Sequence, residues 1–360
     1  MLDLKENKKI VFFDGTLREG GAERVISILT REMANNDVPV EIVLYYDEEV
    51  FYTLHPNVKV TSVYKQTGKK SLIKNIFWLR KYFKNNAGMV VSFLAPFNMV
   101  AIVARMGSKI PIIVADRSDP SFSPANKWVR KLRNFLYRFA DLVVLQTKKN
   151  ENYFSKKNSK TTVISNPIDL GEMVGIAIKK EHEKKIVSVG RLISAKNQKM
   201  LINAFNIFHS KYSEYSLTIY GEGSERENLE KQIDELGLSE SVSLPGTVKN
   251  VNELMSNAEI FVLSSDYEGM PNALIEAMCL GMPVISTMVS GATDLIKDGE
   301  NGLLVDCGDT DALVQAMTKM AGDEDFRLVC AKNAVKTNEL LRADKITNQW
   351  IETINRVKRV

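Results

Sequence analysis

Short apolar runs alternate with amphipathic stretches from one end of this chain to the other, and no other property narrows the fold as far. Runs at Ile10–Asp14, Val40–Tyr46, Val58–Val63, Met89–Leu94, Ile110–Ala115, Leu142–Gln146 and Thr162–Ile164 read as strands in the first half. Lys185–Val189, Ser216–Tyr220, Val242–Leu244, Ile260–Leu263 and Pro283–Ser286 read as strands in the second. Apolar strands alternating with helices specify parallel sheets covered by crossover helices. At 360 residues the chain suits two such α/β domains. The weakly patterned stretch 166–183 lies between the two series and reads as the linker. The expected division is therefore 1–170, 171–342 and a last helix within 343–360.

Composition removes several classes of protein. Cys279, Cys307 and Cys330 are odd in number and lack metal-ligand spacing, so neither a disulfide framework nor a cysteine metal site is expected. The charged start, Met1-Leu-Asp-Leu-Lys-Glu-Asn-Lys-Lys9, runs straight into a strand and does not read as a signal peptide. No apolar run is long enough to span a bilayer, and the expected location is cytoplasmic. Residues 1–170 hold 27 Lys+Arg against 16 Asp+Glu, a net of +11; the remainder holds 21 against 28, a net of −7. From Lys59 to Arg138 the only acids are Asp116 and Asp119, which points to an anionic partner for the first half.

The most informative segment is Ser264-Ser-Asp-Tyr-Glu-Gly-Met-Pro-Asn-Ala-Leu-Ile-Glu276. Glu268 lies on the loop after a strand, and Pro271 opens a helix that carries Glu276. Free backbone N–H groups at such a helix start favour a phosphate, and Glu276 is placed to accept from a vicinal diol such as a ribose. Together these describe a nucleotide-sugar site; two exposed glutamates on an amphipathic helix are the other reading. Further back, Gly190-Arg-Leu-Ile-Ser-Ala-Lys196 follows a buried strand and puts Arg191 at its carboxyl end, with Lys196 at the start of the next helix. An Arg fork and a Lys point charge there suit a diphosphate leaving group. They also fit two solvated surface cations.

These motifs, with Gly20-Gly-Ala-Glu-Arg24 near the start, resemble glycosyltransferase family 4 over nearly the whole chain. The resemblance implies a GT-B fold: two doubly wound Rossmann-like domains facing a central cleft, the last helix crossing back to the first domain. It implies a retaining enzyme without a metal cofactor, which takes a UDP-linked sugar and a polyprenyl-diphosphate-linked glycan. Arg191, Lys196 and Glu268 would then be catalytic. Gly20, Gly21, Gly190, Gly221, Gly223, Thr247, Gly269, Met270, Pro271, Asn272 and Glu276 would line the donor, while Asn98, Asp116 and Arg117 would contact sugar or acceptor. Many members carry a histidine where this chain has Asp116-Arg117, so a structural ion pair fits that position equally well. Gly221 and Gly223 also fit a plain strand-to-helix turn. The alternatives are a GT-B epimerase or phosphorylase, or a membrane-attached nucleotide-sugar sensor without turnover.

Asp309-Thr-Asp311 and Asp323-Glu-Asp325 resemble metal motifs but stand where helices begin, and capping is the expected role. Residues 69–84 and 127–138 combine cations and aromatic residues around apolar stripes. The stripes are Leu72, Ile76, Leu79 and Phe83 in one and Trp128, Leu132, Phe135 and Phe139 in the other. Such helices lie in an anionic membrane interface; the other reading packs the stripes on the sheet with the charges solvated, and both hold together if the stripe is core and the charges face the membrane. The expected location is thus peripheral on the inner face of the cell membrane. No recognition motif for nucleic acid is present.

Overall fold

Apolar residues run unbroken through the central strands, Ile10-Val-Phe-Phe13 and Met89-Val-Val91, because helices cover both faces of the sheets they form. The computed structural model describes residues 8–18, 20–68, 71–157, 159–178 and 182–358. Residues 1–7 of the charged start, Lys69 and Lys70 of the first basic stretch, 179–181 of the expected linker and Arg359 lie outside the described residues. The chain forms two compact units, 1–169 with 341–360, and 170–340.

The first unit carries strands β1 (Lys9–Asp14), β2 (Val40–Leu44), β3 (Lys59–Ser62), β4 (Ala87–Phe93), β5 (Ile112–Ala115), β6 (Leu142–Leu145) and β7 (Thr161–Val163). Between them run α1 (Gly21–Asn35), α2 (Val63–Thr67), α3 (Leu72–Asn86), α4 (Ala95–Arg105), α5 (Lys127–Leu136) and α6 (Lys148–Ser155). Every pairing is parallel and the order is β3-β2-β1-β4-β5-β6-β7.

The second unit has β8 (Glu183–Val189), β9 (Ser216–Tyr220), β10 (Val242–Gly246), β11 (Ala258–Leu263), β12 (Val284–Thr287) and β13 (Leu303–Val305). Its helices are α7 (Gln198–His209), α8 (Arg226–Glu235), α9 (Val251–Ser256), α10 (Asn272–Leu280), α11 (Ser290–Leu295), α12 (Thr310–Gly322) and α13 (Glu324–Ala334). The order β10-β9-β8-β11-β12-β13 is again all parallel. In both sheets the strand order reverses once, between β1 and β4 and between β8 and β11. Doubly wound sheets bind ligands outside the carboxyl ends of their strands at that reversal.

Some local features differ from the sequence expectation. β13 is an extra strand. Lys196 lies in a 3₁₀ turn, Ser194–Lys196, rather than in a helix, and Asn197 in a left-handed conformation caps α7 through Met200 N–H. Pro271 is the N-cap of α10, one position before the first turn. Gly175 and Ala177 donate backbone N–H bonds to Cys279 and Leu280 carbonyls at the end of α10, each 2.9 Å, so this stretch packs within the second unit. Asp309 and Asp323 cap α12 and α13, at 2.8 Å to Ala312 N and 2.9 Å to Phe326 N.

The chain closes with α14 (Thr337–Leu341) and α15 (Ala343–Lys358). Ile168 N–H bonds to Leu341 O at 2.7 Å, and α15 packs along α1. Trp350 of α15 is fully buried and stacks on Phe93 at the end of β4, centroids 5.9 Å apart. Trp350→Ala should therefore destabilise the protein by about 3–5 kcal/mol, the cost of emptying a large aromatic site. Urea denaturation measures this, and a loss below about 1 kcal/mol would mean that α15 is not anchored by this ring.

Candidate active site

In the second unit, two loops meet at the strand reversal. The loop after β8 carries Gly190, Arg191 and Lys196, and the loop after β11 carries Ser264 to Pro271. Asp266 N–H bonds to Ala195 O at 2.9 Å, Ser264 Oγ to Lys196 O at 2.9 Å, and Asn197 Nδ2 to Asp266 Oδ1 at 2.8 Å. These bonds hold Lys196 against Glu268: Lys196 Nζ and Glu268 Oε1 form an ion pair, which Ser265 Oγ joins at 3.0 Å. Arg191 is exposed beside them, its carbonyl fixed by Gln198 Nε2 at 2.9 Å. Gly269, Met270 and Pro271 are buried, and Pro271, the N-cap of α10, makes no side-chain capping bond. Asn272 begins that helix, and Glu276 lies in its second turn, only 4% exposed.

The glycines of this edge serve close backbone approach. Gly190 N–H bonds to Tyr220 O, Gly221 N–H to Gly246 O and Leu192 N–H to Glu222 O, at 2.9–3.0 Å, lacing the ends of β8, β9 and β10. Gly221 has φ +139°, and a side chain there would strike Gly190 O; one at Gly223 would strike the Leu192 backbone. Both glycines are thus required by the fold of the edge. Thr247, just beyond β10, is exposed. Gly291, at the start of α11, was not singled out from the sequence; a Cβ there would lie 2.5 Å from Gly269 O. Nothing but its position after a strand marks it in the chain.

In the first unit, Gly20 caps α1 and Gly21 begins it. Tyr52 Oη accepts from Gly20 N at 3.2 Å and donates to Gly20 O at 2.9 Å. Asn98 and Asp116 belong to a buried network: Asn98 Nδ2 donates to Ala115 O (3.0 Å) and Tyr137 Oη (2.8 Å), and Tyr137 Oη donates to Asp116 Oδ2 (3.0 Å). Arg133 Nη1 lies 3.6 Å from the same Asp116 oxygen. Arg117 turns elsewhere. Its guanidinium lies over Phe93 at 4.7 Å and Trp350 at 5.9 Å, and Nη1 donates to Asn166 Oδ1 at 2.7 Å. Arg117 Nε and Nη2 are buried without a hydrogen-bond partner, as is Asp14 Oδ2 at the end of β1. Among the described residues, no three His, Cys, Asp or Glu side chains gather where a metal ion could be held.

Residues 19–172 match Glycosyltransferase Family 4, and residues 173–337 match Glycosyl transferases group 1. The chain is 31% identical, over 97% of its length and 99% of the relative's, to a Campylobacter jejuni enzyme. That enzyme is GalNAc-alpha-(1->4)-GalNAc-alpha-(1->3)-diNAcBac-PP-undecaprenol alpha-1,4-N-acetyl-D-galactosaminyltransferase. This chain is a family 4 glycosyltransferase. A second relative from that organism, N-acetylgalactosamine-N,N'-diacetylbacillosaminyl-diphospho-undecaprenol 4-alpha-N-acetylgalactosaminyltransferase, is 32% identical over 92% of this chain and 94% of its own. Anabaena HepE in complex with UDP and glucose matches with a TM-score of 0.84 at 20% identity, over 96% of this chain and 99% of that one. That likeness carries the fold, GT-B with two Rossmann-like domains.

The glycosyltransferase turns one basic helix inside out. In α5 the apolar stripe Trp128, Leu132, Phe135 and Phe139, the last just beyond the helix, faces solvent; Trp128 is 65% exposed and Phe135 53%. Arg133 and Leu136 are the buried residues of the helix. In α3 the expected stripe divides: Leu79 and Phe83 are buried, Ile76 is half-buried, and Leu72 is exposed along with Ile73 and Phe77. Packing of the whole stripe on the sheet is therefore corrected for α5 and for the start of α3.

Burial also sets the charges of the first unit's edge. It pushes the Asp14 carboxyl well above its ordinary value of 3.8, with Glu23 adding to the rise while Gly15 N–H and Arg117 oppose it. It raises Asp116 too, against Arg133 and Tyr137, and it pulls Arg117 down to about 9. A carboxyl with a raised folded pKa binds its proton more tightly in the folded state. Stability from Asp14 is therefore full below the ordinary value and is lost as pH rises through the folded value. Asp14→Asn should be more stable than the parent at pH 7, the advantage vanishing toward pH 3.8. Urea midpoints across that range test it; parallel pH profiles would contradict a raised Asp14.

Proposed function

We propose that this glycosyltransferase moves a hexose or N-acetylhexosamine from a UDP-sugar to a glycan carried on a polyprenyl diphosphate. The Lys196–Glu268 pair at the strand reversal carries the reading. It sets a cation for diphosphate next to a carboxylate for sugar hydroxyls, on loops held by backbone bonds. An ammonium has three N–H donors, so Lys196 can keep Glu268 and still meet phosphate oxygens. Pairing also offsets the cost of holding each charge in a partly buried place. The acceptor class is supported by the two Campylobacter relatives, whose names specify undecaprenol-linked diphosphate glycans, and the donor class by HepE, whose structure holds UDP.

In the reaction, the bond from the sugar's anomeric carbon to the diphosphate oxygen breaks, and an acceptor hydroxyl forms the new bond on the same face. The hydroxyl proton passes to the leaving phosphate. Arg191 and Lys196 stabilise the charge that grows on the diphosphate. Glu268 orients the sugar, Glu276 accepts from the ribose, and the backbone of Gly269 to Asn272 at α10 meets phosphate. Gly190, Gly221, Gly223 and Thr247 form the floor beside the base. Within the first unit, Arg117 contributes its unpartnered donors to an anionic acceptor. Two cations on the leaving group take the place of a metal ion, and attack on the same face, as the family resemblance implies, makes the transfer retaining.

Incubation with a panel of UDP-sugars and a polyprenyl-diphosphate glycan should release UDP only when the lipid is present and yield a product one sugar heavier. Release without lipid would favour an epimerase or hydrolase, and binding without turnover a sensor. Arg191→Ala should lower kcat about 100-fold, the size of one electrostatic stabiliser. An unchanged kcat would remove Arg191 from the chemistry.

The same proposal puts the protein on the inner membrane face, through α3 and α5. No helix among the described residues is long and apolar enough to cross a membrane, whereas Lys131 and Lys127 lie over the exposed Trp128 ring at 4.4 and 5.8 Å. Cations around exposed aromatic rings suit the anionic interface. Trp128→Ser with Phe135→Ser should weaken binding to phosphatidylglycerol vesicles at least roughly tenfold. The urea midpoint should hold, because both side chains are exposed. Equal sedimentation with vesicles would rule out α5 as the contact.

A further inference from the structure

Beside α5 lies a basic pocket that the proposed transfer does not use. Its volume is about 320 Å³, and Ser121, Lys149, Asn152, Tyr153, Lys156 and Lys157 line it. Five of these come from α6 and the turn after it, at positions i, i+3, i+4, i+7 and i+8, which is one face of a helix. Three are lysines, and no carboxylate is among the lining residues.

The walls are held from beneath. Asp119, only 4% exposed, accepts Ser121 N–H at 2.9 Å through one oxygen and lies 3.7 Å from Lys149 Nζ through the other. Buried Arg133 bonds to the carbonyls of Ser123 and, at 2.9 Å, Pro120. Tyr153 Oη accepts from Asn134 Nδ2 at 3.1 Å, and Lys157 Nζ lies over the Tyr153 ring at 4.3 Å. Asn134 is a residue of α5, and Phe122, the residue after Ser121 in the chain, is an exposed aromatic. A multiply charged anion and an apolar chain are thus both catered for on one short stretch of surface.

We propose that this pocket binds the phosphate-ester anion of a lipid while the exposed rings of α5 lie in the acyl boundary. Lysine suits that task as a point charge with rotatable donors, tolerant of the several orientations of a phosphate. The lipid source rests on the membrane reading given above; the anion site itself does not. Two lipids carry the chemistry, the diphosphate of the polyprenyl acceptor and the headgroup of an anionic phospholipid.

The test compares the full chain with Lys149→Gln/Lys156→Gln/Lys157→Gln, and with Lys157→Gln alone should the triple variant fold poorly. Inorganic pyrophosphate is titrated calorimetrically into each. Pyrophosphate bound elsewhere contributes equally to both proteins, so the difference isolates the pocket. The triple variant should bind roughly 100-fold more weakly, while Lys81→Gln/Lys84→Gln on α3 should match the parent. Equal pyrophosphate binding by parent and triple variant overturns the site. Weaker binding together with a raised KM for the lipid-diphosphate acceptor and an unchanged kcat assigns the pocket to the acceptor. Weaker binding with an unchanged acceptor KM in detergent, but loss of phosphatidylglycerol vesicle binding, assigns it to the headgroup. A protein that transfers no sugar at all would sink the transferase reading and leave the pyrophosphate comparison intact.

Discussion

The burial of Arg133 sets much of the first unit's surface. Its guanidinium has no exposure, lies over Phe154 at 4.9 Å, and finds the carbonyls of Pro120 and Ser123, Asn134 Oδ1 and the Asp116 carboxylate. An ion buried without such partners costs several kcal/mol. With them, Arg133 ties the segment after β5 to α5 and leaves one side of that helix no core to face. Positions 128, 132, 135 and 139 follow a helical stripe away from Arg133, and so they emerge into solvent. Asp116 in turn receives Tyr137, which receives Asn98 of α4, so the same charge also positions the end of β5.

The second unit depends on a different device. Its edge is built of backbone: the ends of β8, β9 and β10 are laced by N–H bonds, and side chains at Gly221 and Gly223 would collide with the neighbouring loop. This close packing fixes the direction in which Arg191 leaves β8. Three further bonds join the Lys196 turn to the loop after β11. The two polar side chains of the ion pair therefore meet because their loops are registered, and little ordering remains for a ligand to impose.

The strands were legible because a doubly wound sheet needs continuous apolar runs, and twelve such runs fall on strands. β13 was not, since Leu303–Val305 stands directly behind the turn-forming Asp298-Gly-Glu-Asn-Gly302. Glu268 and Lys196 stood out by spacing, yet their contact spans 72 positions and only the strand order brings it about. The orientation of α5 was not readable. A stripe of Trp, Leu and Phe looks like a core face unless one knows that an arginine opposite finds its partner 17 positions upstream in Asp116. Asp14 escaped notice for a similar reason: an acid after an apolar strand reads as a turn residue, and only burial beside Glu23 and Arg117 makes it unusual.

The closing helix completes the edge of the first unit rather than merely covering it. Trp350 and Phe93 together form an aromatic shelf for Arg117, which replaces water on the guanidinium faces while Asn166 takes one nitrogen. Aromatic faces attract a cation but satisfy none of its N–H groups. Two of the Arg117 nitrogens consequently remain without partners, at the strand reversal where Asp14 also keeps an open oxygen. Unsatisfied donors of this kind cost stability in the empty protein. A bound anion that reached the two Arg117 nitrogens would recover that cost.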